Sequence, residues 1–126
     1  MGQVMGRATA IQQLKSYISR LPNEKCIHSS KVTKSASKVV YWIEIPVQKI
    51  EESSACSDIW LLLHDHPSST FHVLVVPSEF FEKNLHKLRV RLKKEKEYIS
   101  LELTLDSFID VHSSLCFESF AKPVNH

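Results

Sequence analysis

Glycine is almost missing from this chain. Only Gly2 and Gly6 occur in 126 residues. That excludes a phosphate-cradling glycine-rich loop, because backbone amides converge on a phosphate only where glycine allows close approach. It also excludes the strained GxSxG elbow of a serine hydrolase. Turns must be built from Ser, Asn, Asp, Pro and Lys-Glu clusters. The three cysteines, Cys26, Cys56 and Cys116, are an odd number with no CxxC spacing. They predict reduced thiols in a cytoplasmic protein rather than a disulfide framework. No apolar run approaches the ~20 residues that span a bilayer, and the first residues lack the apolar core of a signal peptide. No membrane partner and no cofactor are expected. The net charge of +2 is too small to imply nucleic acid by itself.

What is present is an ordinary globular composition, 43% hydrophobic and 24% charged, in a chain long enough to bury roughly two-thirds of its unfolded surface. The expected domain is 1–126, with 1–6 and 121–126 as loose ends. The organising stretch is Asp58–Leu88. Asp58–His64 and Phe71–Val76 are apolar on both faces and predict a buried hairpin turned by Asp65–Thr70. Pro77-Ser78 then launches a helix at about 79–87, with Ser78 as N-cap and Glu79 and Glu82 in the first turn. Upstream, Ile11, Leu14, Ile18 and Leu21 recur at helical spacing until Pro22-Asn23. Lys25–Ser29 suggests a short strand, and Ser29–Lys38 reads as an exposed Ser/Lys loop. Val39–Val47 is a strand, followed by a polar connection, Gln48–Ser57, with room for one helical turn. Arg89–Glu97 reads either as a strand or as a continuation of the helix. Tyr98–Leu105 alternates cleanly and reads as a one-sided or edge strand. Asp106-Ser107 suits the cap of a short helix. The fold class is α/β or α+β, a central mixed sheet of about five strands flanked by the N-terminal helix and the 79–87 helix.

Four constellations bear on chemistry. His64 and His66, two apart on a strand, point the same way and suit a metal-dependent hydrolase, but no third ligand stands at a recognised spacing. No metal site and no catalytic residue are assigned. Glu44 and Asp58 are strand-borne acids, and a shared cleft would make them a carboxylate pair for magnesium chemistry. The cations Lys31, Lys34, Lys38, Arg89 and Arg91 are the candidate nucleic-acid-binding residues, through non-specific phosphate contacts. An edge strand at 98–105 offers the alternative of a non-enzymatic module that forms a homodimer.

The order helix, three strands, helix, strand, with Asp58-Ile59-Trp60-Leu61-Leu62-Leu63 followed by Phe71-His72-Val73-Leu74-Val75-Val76-Pro77-Ser78, resembles restriction-endonuclease-like domains over residues 39–88. The resemblance implies a nucleic-acid-handling fold. That family cleaves with an acid on one strand and an acid-x-Lys triplet on the next. Here Glu44-Ile45-Pro46 puts proline in the lysine position. The resemblance therefore implies a catalytically incomplete member that binds nucleic acid or a nucleic-acid-handling partner.

Overall fold

The structure, a computed structural model, describes residues 11–12, 26–35, 38–51, 57–65 and 70–122. In chain order its elements are β1 (Ile27–Ser29), β2 (Lys31–Ser35), β3 (Lys38–Pro46), α1 (Val47–Glu51), β4 (Asp58–Asp65), β5 (Thr70–Pro77), α2 (Ser78–Asn84), β6 (Arg89–Lys93), β7 (Lys96–Thr104), a 3-10 turn (Glu118–Phe120) and β8 (Ala121–Lys122). The mixed α/β class holds, with strand predominating. The strands divide into two sheets of four, in the orders β1-β4-β5-β8 and β2-β3-β7-β6, instead of one sheet of about five. The first sheet is mixed, since β1 runs parallel to β4. The second is antiparallel throughout.

The doubly apolar strands explain this layering. On β4, Ile59, Leu61 and Leu63 join Leu74 and Val76 of β5 in facing Tyr41, Ile43 and Ile45 of β3 and Ile99, Leu101 and Leu103 of β7. The opposite face of the first sheet buries Ile27, Trp60, Leu62, Phe71 and Val73 with Ile11. A strand between two apolar layers has no polar side to show, whereas β7, covered on one face only, alternates. Ile11 and Gln12 are helical; the rest of the expected N-terminal helix, residues 1–6 and residues 123–126 lie outside the described set.

Several local expectations are corrected. The Ser/Lys stretch is not a loop: Lys31–Ser35 pairs with Lys38–Trp42 as the first arm of a hairpin. An edge strand has one neighbour and little burial, so it needs no apolar run to form. Arg89–Lys93 is a strand, not helix, and closes onto β7 through Lys94 and Glu95, which have φ of 48° and 67°. Two successive positive φ values define the type I′ hairpin turn, which matches the twist of the paired strands and normally recruits glycine or asparagine. Tyr98–Leu105 is not an edge: β7 is interior, between β3 and β6. Ser78 is not the N-cap either. Its backbone N–H donates to Ser57 O at 2.9 Å, which carries the extended backbone through Pro77, and no side chain caps the helix. The end of the chain is not wholly loose, since Ala121 and Lys122 pair with Leu74 and Val73.

The expected helix after Asp106 is a compact loop. Asp110 is fully buried, and its carboxylate accepts hydrogen bonds from Glu102 N, Ser113 N and Ser113 Oγ at 3.0, 3.0 and 2.5 Å. Phe108 adopts φ 54°, an uncommon conformation for a bulky side chain. It is held there by Phe108 N–H to Thr104 O at 3.1 Å and Phe117 N–H to Phe108 O at 2.9 Å. Its ring packs 5.2 Å from that of His72. Cys26, buried at 3% exposure, is disulfide-bonded, whereas Cys116 is exposed and free. The expectation of uniformly reduced thiols is thus overturned: cysteine parity and spacing do not report which pairs the fold brings together.

Candidate functional site

The second sheet has one face against the core and one face outward. Register puts Trp42 opposite Glu102, Glu44 opposite Ser100 and Pro46 opposite Tyr98, and then Ser100 opposite Arg89 and Tyr98 opposite Arg91. Partners across a ladder share a face. The outer face therefore collects Trp42, Glu44, Ser100, Glu102, Arg89, Arg91 and Lys93.

These side chains form two linked groups. Lys93 Nζ donates to Glu44 Oε1 at 2.6 Å and lies 5.4 Å from the centre of the Trp42 ring. Trp42 Nε1–H donates to Ser100 Oγ at 3.1 Å. A few ångströms along β7, Glu102 contacts His112 Nε2, and Arg89 Nη1 lies 3.1 Å from the same nitrogen. His112 owes its place to the Asp110-anchored loop, which docks on β7 through Val111 N–H to Glu102 O at 3.0 Å. Arg91 makes no ion pair among the described residues and is exposed.

Beside this face runs an open edge. All five residues of β6 are exposed, and among the described residues β6 has a strand neighbour on one side only. One row of its backbone N–H and C=O groups is therefore available for pairing. Its second side-chain row, Val90 and Leu92, is 37% and 72% exposed. Val90 pairs with the fully buried Ile99, so β6 overhangs the layer that covers β7. Between Lys87 and Glu97 there are six cations and two carboxylates, while the whole chain carries only +2. The remainder is on balance acidic, and the basic charge is local to this hairpin.

The predicted cationic residues are not brought together as one patch. Arg89 and Arg91 share β6. Lys31 and Lys34 lie on β2 and Lys38 opens β3, in the hairpin that forms the opposite edge. Two intervening strands set those edges ~14 Å apart, with Glu44 and Glu102 on the face between. Sequence position gives no warning of this, because both stretches border the same apolar strand order. Glu44 and Asp58 do not share a cleft. Glu44 faces outward from the second sheet, while Asp58 is an exposed residue at the start of β4 in the first. His64 is 1% exposed, and its backbone N–H donates to Ser30 Oγ at 3.1 Å; His66 lies outside the described residues. Among the described residues, no group of three His, Cys, Asp or Glu is placed to hold a metal ion. A hollow of about 210 Å³ lined by Pro46, Val47, Gln48, Glu95, Lys96 and Glu97 is smaller than the ~300–1,000 Å³ typical of small-molecule sites. No helix among the described residues is long and apolar enough to cross a membrane.

Sequence reasoning places Lys93 on the basic edge but misses its contacts with Glu44 and Trp42, and misses the contributions of Glu102, His112 and Asp110. The outward position of Glu102 was readable from the alternation of β7. His112 and Asp110 carried no signal, because their places depend on a loop of irregular backbone. Comparison of the chain with family models, curated proteins and solved structures finds no match.

Proposed function

We propose that this chain is a non-enzymatic binding domain whose working surface is the open β6 edge and the cationic outer face beside it. The observation that carries this reading is β6 itself: an unpaired strand edge, exposed at every residue, bearing Arg89, Arg91 and Lys93 on one side and uncovered Val90 and Leu92 on the other. Open edges recruit extended segments by backbone pairing, and side chains at alternate positions select among them. The homodimer alternative, placed on residues 98–105, finds no open edge there, because β7 lies between β3 and β6.

The test is amide hydrogen exchange across β6, with ligand binding followed by fluorescence anisotropy. A ligand of this surface slows exchange at Arg89–Lys93, and Arg91→Glu changes its affinity. Ligands that bind without protecting β6, and without responding to Arg91→Glu, overturn the reading.

A second reading keeps the nuclease-like resemblance: non-specific nucleic-acid binding by the same hairpin through phosphate contacts of Arg91, Lys94 and Lys96, without cleavage. The local excess of six cations over two carboxylates favours it. The sequence has no acid-x-Lys triplet and Glu44 stands apart from Asp58, so the carboxylate arrangement with which that family cleaves is not assembled by these residues. The affinity of such a complex falls steeply with salt; binding insensitive to salt sinks this second reading. Of the grounds for a cytoplasmic placement, the Cys26 disulfide withdraws the reduced thiols.

A further inference from the structure

We infer that the occupant of the β6 edge is an extended acidic segment that alternates carboxylate and apolar residues; this rests on the reading of β6 as an open docking edge. Strand addition brings partner side chains to ~5 Å across the ladder, so the row Arg89, Arg91, Lys93 lies along every second residue of the incoming strand. Arg91 stands outside any ion pair among the described residues, while Glu44 holds Lys93 and His112 lies against Arg89. Those positions favour Glu or Asp. The other positions lie beside Val90 and Leu92, which are 37% and 72% exposed, and favour apolar residues. The same row argues against a second copy of the chain. Antiparallel self-pairing centred on Arg91 sets Arg89 opposite Lys93, and parallel self-pairing stacks each cation on its twin. β6 itself carries no carboxylate to relieve either arrangement. Edge cations of this kind reject cationic and self-complementary strands while leaving the backbone row open to an acidic one.

Three labelled peptides of equal length test this: alternating Glu/Val, alternating Thr/Val and alternating Lys/Val, together with a short DNA duplex. The expected result is that the Glu/Val peptide binds, slows exchange at Arg89–Lys93, and exceeds the Thr/Val peptide in affinity by about tenfold. In Arg91→Glu, an exposed position with no ion pair to lose among the described residues, that preference disappears and the Lys/Val peptide gains. Equal protection of β6 by the Thr/Val and Glu/Val peptides overturns the acidic occupant and leaves the edge reading standing. Protection by the duplex alone overturns it in favour of nucleic acid. No protection by any of the four overturns both the occupant and the edge. A shift from monomer to dimer that protects β6 without added ligand reinstates self-association against the inference.

Discussion

Lys93 Nζ sits 2.6 Å from Glu44 Oε1, so a side chain of the outermost strand reaches across β7 to the third strand of the sheet. The contact ties the overhanging edge to the sheet interior. Lys93 is 43% and Glu44 19% exposed at the side chain, and solvent screening limits such a pair to ~0.5–1 kcal/mol. A double-mutant cycle with Lys93→Ala and Glu44→Ala, read by urea denaturation, is expected to return a coupling in that range that shrinks in high salt. Trp42 fluorescence shifts in Lys93→Ala, because the ammonium group leaves the ring. A coupling of zero at low salt refutes the tie.

The Lys94-Glu95 turn holds a stability reserve. Each residue adopts a left-handed conformation that costs a side-chain-bearing residue ~1–2 kcal/mol. Replacing the pair with Asn-Gly, the residues that the type I′ turn prefers, is expected to raise stability by about 1 kcal/mol. The midpoint of urea unfolding should increase with no change in its slope. A decrease in midpoint would mean that the turn geometry is wrong.

Asp110 anchors the loop that presents His112. Its three hydrogen bonds are made inside a fully buried site. Asp110→Ala leaves the Glu102 and Ser113 amides without their acceptor and is expected to cost ~2–4 kcal/mol. Amide exchange should quicken at residues 110–116 first. Ser113→Ala, which removes one donor and leaves the two backbone bonds, is expected to cost ~1 kcal/mol.

The two described cysteines differ chemically. A thiol reagent added to native protein should label Cys116, which is exposed, and spare Cys26, which is disulfide-bonded. After reduction Cys26 becomes reactive once the fold opens, and stability drops by ~2–4 kcal/mol. Labelling of Cys26 before reduction contradicts the bond.

How far the sequence carried this fold can be seen strand by strand. Asp58–His64, Phe71–Val76 and Tyr98–Leu105 were legible because apolar side chains at a period of two leave few other solutions. Two-sided burial of β4 was legible as well, but not what covers each side, and so the division into two sheets was not. β2 hid behind its composition: Val32 packs on the core, but a lone apolar residue among Lys, Thr and Ser gives no period to read, so the stretch looks like a loop. Arg89 and Arg91, read from the sequence as candidate nucleic-acid contacts, are exposed on β6. Their separation from Lys31, Lys34 and Lys38 follows from β3 and β7 lying between, a matter of strand order that residue types do not encode. The loop that carries His112 to Glu102 has Phe108 and Ser114 at positive φ, which neither residue type announces.

The ladder between β3 and β7 also sets how the molecule assembles. It runs from Val40↔Thr104, 64 positions apart along the chain, to Pro46↔Tyr98, 52 apart. The β4–β5 and β6–β7 hairpins close over short connections and form on the microsecond scale. The long ladder must wait for a large loop closure, so folding is expected to be limited by this single non-local docking event. Until it happens, the apolar inner faces of both sheets are uncovered. The transient hazard of this protein is therefore association during folding, and the cations of Arg89–Lys96 guard the hairpin that would otherwise offer its edge at that stage.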